Sequence, residues 1–116
     1  MKYIVAFLLA ATPLAADPPV IEKVNVTRSG EAWRFDVTLS HPDTGWDHYA
    51  DGWRVLDMEG AELGHRVLAH PHVNEQPFTR SLAGVELPEG TTQVQIEARD
   101  TADGWSGKTV VVELPK

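Results

Sequence analysis

The strongest constraint on the fold is a regular alternation of apolar and polar residues between Trp33 and Ser40. Apolar side chains occupy every second position of this segment, namely Trp33, Phe35, Val37 and Leu39. A period of two places them on one face of a β-strand, whereas an amphipathic helix needs a period of about 3.6. No stretch of the chain keeps a helical period over two turns. The sequence therefore predicts an all-β protein.

Other short segments also have strand character, and turn residues separate them. Together with residues 33–40 they make seven predicted strands, the others at 20–27, 53–56, 61–68, 78–82, 94–98 and 109–114. Short strands with glycine and proline between them predict a seven-stranded antiparallel β-sandwich. The same alternation predicts that Trp33 and Trp53 lie in its core.

Residues 1–16 have the layout of a cleaved secretory signal peptide. Lys2 supplies a positive charge, an apolar run extends from Tyr3 to Ala11, and small residues precede Asp17. The run is shorter than the ~20 residues of a membrane-spanning helix, although an N-terminal anchor helix is the alternative. We therefore expect a periplasmic or secreted domain at residues 17–116. Because the sequence contains no cysteine, we expect neither a disulfide nor a lipidated N-terminal cysteine.

The expected mature domain is acidic. Removal of Lys2 from the 10 basic residues leaves 9 against 17 acidic residues, a net charge of −8. Such a surface repels phosphate backbones and anionic lipid, so that binding to nucleic acid or to a membrane is not expected. Without disulfides the fold depends on its apolar core, for which about 100 residues are sufficient. We expect a monomer.

Several motifs resemble those of fibronectin type III and related immunoglobulin-like domains. They are Leu82-Ala83-Gly84-Val85-Glu86-Leu87-Pro88-Glu89-Gly90, Val94-x-Ile96-x-Ala98-x-Asp100 and Gly104-x-Ser106-Gly107. Trp53 resembles the core tryptophan of such domains, but their corner tyrosine has no counterpart here. The resemblance covers about half of the chain and implies an immunoglobulin/fibronectin III-like sandwich without implying an activity. Residues 45–53 and 70–78 are also similar to segments of small uncharacterised exported bacterial proteins.

Three predicted connections hold most of the residues that are able to support chemistry. They are residues 41–51, 69–76 and 100–107, which follow the second, fourth and sixth strands. Because consecutive strands of a sandwich run in opposite directions, these connections are expected at the same end of the domain. That end would gather four of the five histidines and two of the four tryptophans.

His70 and His72 are the leading candidates for metal binding. Pro71 disfavours a helical conformation at the residue before it, so that the two imidazoles should project to the same side of an extended segment. Such a pair suits Zn²⁺ or Cu²⁺, and the absence of cysteine argues against Cu⁺. Neighbouring side chains are expected to complete the site or orient its ligands, namely His48, His41, Glu75 and Asp47.

Trp46 and Trp105 support a competing hypothesis. An indole in a loop either covers the open end of the sandwich or anchors a protein or glycan partner. A neighbouring carboxylate such as Asp103 would then bind sugar hydroxyls, and the histidines would be structural. No Gly-x-Ser-x-Gly motif or cysteine indicates nucleophilic catalysis, and we expect no catalytic residues. The sequence thus predicts an exported binding module and not an enzyme, with metal binding as the leading function.

Overall fold

The computed structural model describes residues 17–116, and within that range it contains seven β-strands and no helix. The strands are β1 (Val20–Ser29), β2 (Ala32–Ser40), β3 (Ala50–Leu56), β4 (Glu62–Val67), β5 (Phe78–Val85), β6 (Gln93–Asp100) and β7 (Gly104–Glu113). The predicted leader at residues 1–16 lies outside the described residues. Nothing from residue 17 onward forms a helix long and apolar enough to cross a bilayer.

The strands form two antiparallel sheets. One sheet has the order β1-β2-β5, and the other has the order β4-β3-β6-β7. Neighbouring strands run antiparallel in both. The prediction of an all-β protein with seven strands in antiparallel sheets is therefore confirmed for the described residues.

The core lies between the two sheets and uses the apolar positions of the strand alternation. On β2, Phe35, Val37 and Leu39 are at most 1% exposed. The facing sheet contributes its own fully buried side chains, including Trp53, Val55, Val94 and Ile96. Burial of each such side chain stabilises the fold by roughly 1.5–3 kcal/mol. The predicted core positions of Trp33 and Trp53 are confirmed, because they are 8% and 0% exposed.

The main correction to the predicted strand boundaries concerns the connection after β6. We predicted a loop over residues 100–107, but β6 continues to Asp100 and β7 begins at Gly104. The Asp100 carboxylate accepts hydrogen bonds from the backbone amides of Ala102 and Asp103, and this bonding closes a tight turn over residues 101–103. Gly104 follows with φ 76°, a conformation that favours glycine. Trp105 therefore lies in a strand and not in a loop.

The connections after β2, β4 and β6 meet at one end of the sandwich, as the strand count predicted. We call this the loop end, and it comprises residues 41–49, 68–77 and 101–103. The His41 amide donates to Oε1 of Gln76 at 2.9 Å, which joins the first connection to the second. The Thr101 amide donates to the Tyr49 carbonyl at 3.0 Å, which joins the first to the third. The fold thus brings residues distant in sequence into contact at this end.

Candidate metal centre

Three side chains direct polar atoms at one another, namely those of His41 and His48 in the loop end and of Asp100 at the adjoining end of β6. Oδ2 of Asp100 lies 3.4 Å from Nε2 of His41 and 3.5 Å from Nε2 of His48. These atoms all lie within 4.8 Å of one another. Each of the three is buried, and none has a hydrogen-bond partner in the described part of the chain. The cluster therefore concentrates unsatisfied polar atoms in one buried place.

Asp100 is held by the turn that it closes. It is the last residue of β6 and is 1% exposed. Its Oδ1 accepts the amide hydrogens of Ala102 at 3.0 Å and Asp103 at 2.7 Å. These bonds fix the carboxylate and leave Oδ2 facing the two histidines. A buried polar atom without a partner costs roughly 1–3 kcal/mol, and more when it is charged. The position of Oδ2 therefore favours a bound cation.

Asp43 holds the other side of the His41 ring. Nδ1 of His41 and Oδ1 of Asp43 are 2.5 Å apart. The same carboxylate accepts the amide hydrogens of Ala50 at 3.0 Å and His72 at 2.8 Å. Because an ionised carboxylate can only accept hydrogen bonds, we assign the ring proton of a neutral His41 to Nδ1, which leaves a lone pair on Nε2. Two acceptor atoms, Nε2 of His41 and Oδ2 of Asp100, then face each other.

His48 reaches the cluster through a tight turn in the first connection. The Thr44 amide donates to the His48 carbonyl at 3.0 Å, and the His48 amide donates to the Gly45 carbonyl at 3.2 Å. Gly45 has φ 147°, in the region that favours glycine. The turn sets the His48 ring edge-on to that of His41, with centroids 4.8 Å apart and planes at 73°. The local sequence thus positions the second imidazole.

Two imidazoles and one carboxylate form a donor set that suits divalent transition metals. The Asp43–His41 pair adds a further feature of such sites. Metal-bound histidines usually donate their other ring N–H to a carboxylate or carbonyl, which fixes the tautomer and the ring orientation. The residues present therefore fit an ion such as Zn²⁺ or Cu²⁺.

The structure brings together only part of the predicted ligand set. His41 and His48 are in the cluster, whereas His70 and His72 lie outside it. The rings of His70 and His72 are neighbours, with centroids 4.7 Å apart, but His72 is only 6% exposed and stacks on Phe78 at 3.9 Å. Its Nε2 lies 2.9 Å from Nη2 of Arg80. Because an arginine can only donate, it engages the lone pair that a metal at this nitrogen would need.

The predicted carboxylates also lie outside the cluster. The Glu75 side chain is 61% exposed and lies 3.5 Å from Arg80. Asp47 accepts a hydrogen bond from Thr101 through its backbone carbonyl, at 3.4 Å, and Asp103 donates its amide to Asp100. Asp100 itself was absent from the predicted ligand set. A signal for it existed, because an aspartate at a strand end followed by Thr-Ala-Asp-Gly is typical of a side-chain-capped turn.

The two tryptophans that were predicted to act together have different surroundings. Trp46 is 69% exposed and contacts Tyr49 edge-on, with ring centroids 5.7 Å apart. Trp105 is half-buried on β7, where the Arg54 guanidinium lies 3.8 Å and that of Arg99 5.3 Å from the ring centroid. Trp46 therefore presents its indole to solvent at the loop end, whereas arginines contact that of Trp105.

Comparison with curated proteins finds a relative in Halomicrobium mukohataei. Over 94 residues, which are 81% of this chain, the sequence is 43% identical to a protein named "Putative lipoprotein". The chain spans about half of that relative, since the aligned region is 46% of its length. No protein-family model matches this chain, and no solved structure matches it.

The surroundings of His72 predict a pH dependence of stability. Burial lowers the pKa of His72 below its usual 6.5, and the positive charge of Arg80 lowers it further. As pH falls below about 6.5 the unfolded chain therefore binds this proton before the folded protein does, and the free energy of unfolding falls until the lower pKa of the folded state is passed. We expect a smaller fall in His72→Phe, which keeps a ring against Phe78. Urea denaturation in a chelator from about pH 8 to pH 5 measures both slopes, and equal slopes would contradict this assignment.

Proposed function

We propose that this protein is an exported binding module that holds a divalent transition metal ion through Nε2 of His41, Nε2 of His48 and Oδ2 of Asp100. One observation carries the proposal: these three buried atoms lie together and have no other partner among the described residues. A cation between them would give all three a partner at once. It would also remove the repulsion between the acceptor atoms of His41 and Asp100.

Export and domain type are part of the same proposal. The signal-peptide layout of residues 1–16 supports export, and so does the name of the relative in Halomicrobium mukohataei. The two sheet orders β1-β2-β5 and β4-β3-β6-β7 support a sandwich of the immunoglobulin/fibronectin III type. We propose binding and not catalysis, because the sequence motifs indicate no nucleophile.

A buried imidazolium is the competing explanation of the same geometry. A doubly protonated His41 would lie between the carboxylates of Asp43 and Asp100, at 2.5 and 3.4 Å. Such a triplet would satisfy Nε2 of His41, and a proton on Nε2 of His48 would reach the same oxygen of Asp100 from 3.5 Å. Both contacts with Oδ2 are longer than the ~2.7–2.9 Å of a usual charge-assisted hydrogen bond. A metal ion would instead bind all three atoms directly, and this difference favours it.

The proposal predicts stoichiometric metal binding that depends on the cluster. Calorimetric titration of the purified protein with Zn²⁺ should show one equivalent bound, and free Zn²⁺ at 100 times Kd should add about 2.7 kcal/mol to the free energy of unfolding. His48→Ala and Asp100→Asn should lose this binding, because each removes one of three ligands. His70→Ala is the matched control, since it removes a histidine of the loop end outside the cluster, and it should bind like the wild type.

Two results would contradict the proposal. Loss of Zn²⁺ binding in His70→Ala together with its retention in His48→Ala would assign the metal to residues 70–72. Absence of stoichiometric binding of both Zn²⁺ and Cu²⁺ in the wild type would instead favour the imidazolium triplet of Asp43, His41 and Asp100.

Asp43 is proposed as a positioning residue that acts through His41. Replacement of its carboxylate by an amide removes the negative charge that orients the His41 ring and fixes its tautomer. We expect Asp43→Asn to keep one bound Zn²⁺ but to weaken its affinity by about 10–100-fold, as for other outer partners of metal-bound histidines. Competition with a chelator measures Kd. Asp47→Asn is the control, because it makes the same change in the same connection and should leave Kd unchanged. Equal Kd values for Asp43→Asn and the wild type would show that Asp43 does not position His41 for the metal.

Trp46 supports a second candidate function, the binding of a protein or glycan partner. Its 69% exposure is large for an indole, and Tyr49 provides an aromatic neighbour. An exposed indole on a rigid connection can anchor a partner by stacking or by burial in a pocket. In this proposal Trp105 has no part in the anchor, because Arg54 lies over its ring.

A further inference from the structure

We infer that the ion at this centre is a four-coordinate Zn²⁺ with three ligands from this chain, and that its fourth ligand is a small monodentate anion from solution, replaced by water when none is bound. The inference rests on the proposed metal binding at His41, His48 and Asp100. It adds the geometry of the ion and the chemical class of the ligand that the site accepts.

The distances within the cluster favour tetrahedral coordination. Two ligand atoms at about 2.0–2.1 Å from Zn²⁺ are ~3.3 Å apart at the tetrahedral angle and ~2.9 Å apart at a right angle. Oδ2 of Asp100 lies 3.4 and 3.5 Å from the two histidine nitrogens, close to the tetrahedral value. An octahedral ion would have to draw the same atoms together by roughly half an ångström. The two nitrogens are within 4.8 Å of each other, and this is the distance that has to change on binding. The His48 ring must move towards His41 by up to about 1.5 Å for both nitrogens to bind one tetrahedral ion.

The described residues supply three donors, one fewer than tetrahedral zinc requires. The group of His, Cys, Asp and Glu side chains at this point has three members. Asp43 is the carboxylate next to it, but its two oxygens accept hydrogen bonds from His41, Ala50 and His72. Zinc sites with three protein ligands carry water or an exogenous ligand in the fourth position.

The burial of the ligands indicates where the external ligand arrives. The side chains of His41 and Asp100 are 0% and 1% exposed, whereas that of His48 is 29% exposed. An external ligand therefore reaches the ion from the His48 side.

The charge of the centre selects an anion. A divalent ion with one carboxylate ligand and two neutral imidazoles has a net charge of about +1. The Asp43 carboxylate balances this charge from the far side of the His41 ring. It does not reach the open position, where a monovalent anion would contact the positive ion directly. With three of four tetrahedral positions filled by this chain, one position remains, and a ligand fills it through one atom.

Substitution of Co²⁺ for Zn²⁺ tests both the geometry and the ligand, because four-coordinate Co²⁺ absorbs visible light far more strongly than six-coordinate Co²⁺. We expect one equivalent of Co²⁺ to give intense visible bands, and a titration with azide to shift them with saturation at one azide per cobalt. His48→Ala should give neither signal, and His70→Ala should give both.

The outcomes separate this inference from the proposed function. Failure of the wild type to bind Co²⁺ and Zn²⁺ would overturn the metal site itself. Stoichiometric Co²⁺ binding with weak bands would show six-coordination, and intense bands insensitive to azide would show a fourth ligand from the chain. Either of the last two results would overturn the inference while leaving metal binding in place.

Discussion

The Asp43 carboxylate is the interaction on which the loop end depends. It contacts the His41 ring, the amide of Ala50 at the start of β3, and the amide of His72 in the second connection. One buried side chain therefore joins two connections and a strand, and at the same time fixes the orientation of an imidazole. If Asp43 did not hold the ring, Nε2 of His41 would have no reason to face Asp100. The proposed metal site therefore depends on the hydrogen bonds of Asp43.

The parts of the structure that sequence predicted well are those that depend on local patterns. The period of two in β2 places its apolar side chains in the core because strand geometry fixes their direction. Counting strands also placed His41 and His48 at one end. Sequence could not show which atoms meet there, since the inward position of His72 depends on contacts with Phe78 and Arg80. Asp100 was left out of the predicted metal site because its contacts with His41 and His48 join residues far apart in sequence, which no local pattern shows.

The proposed centre has a structural consequence for a domain without cysteine. Exported domains of this size often gain stability from disulfides, whereas here the apolar core acts without them. An ion that binds the folded state and not the unfolded chain would add stability by mass action. It would also join the first connection to the end of β6, since His41 and His48 belong to one and Asp100 to the other. Metal binding and the order of the loop end would then be coupled.

Diffraction from crystals of the Zn²⁺-loaded protein, with anomalous data on both sides of the zinc absorption edge, tests the central claim most directly. The account predicts an anomalous peak about 2.0–2.1 Å from Nε2 of His41, Nε2 of His48 and Oδ2 of Asp100. A peak beside His70 and His72, with none among the three buried atoms, would contradict it.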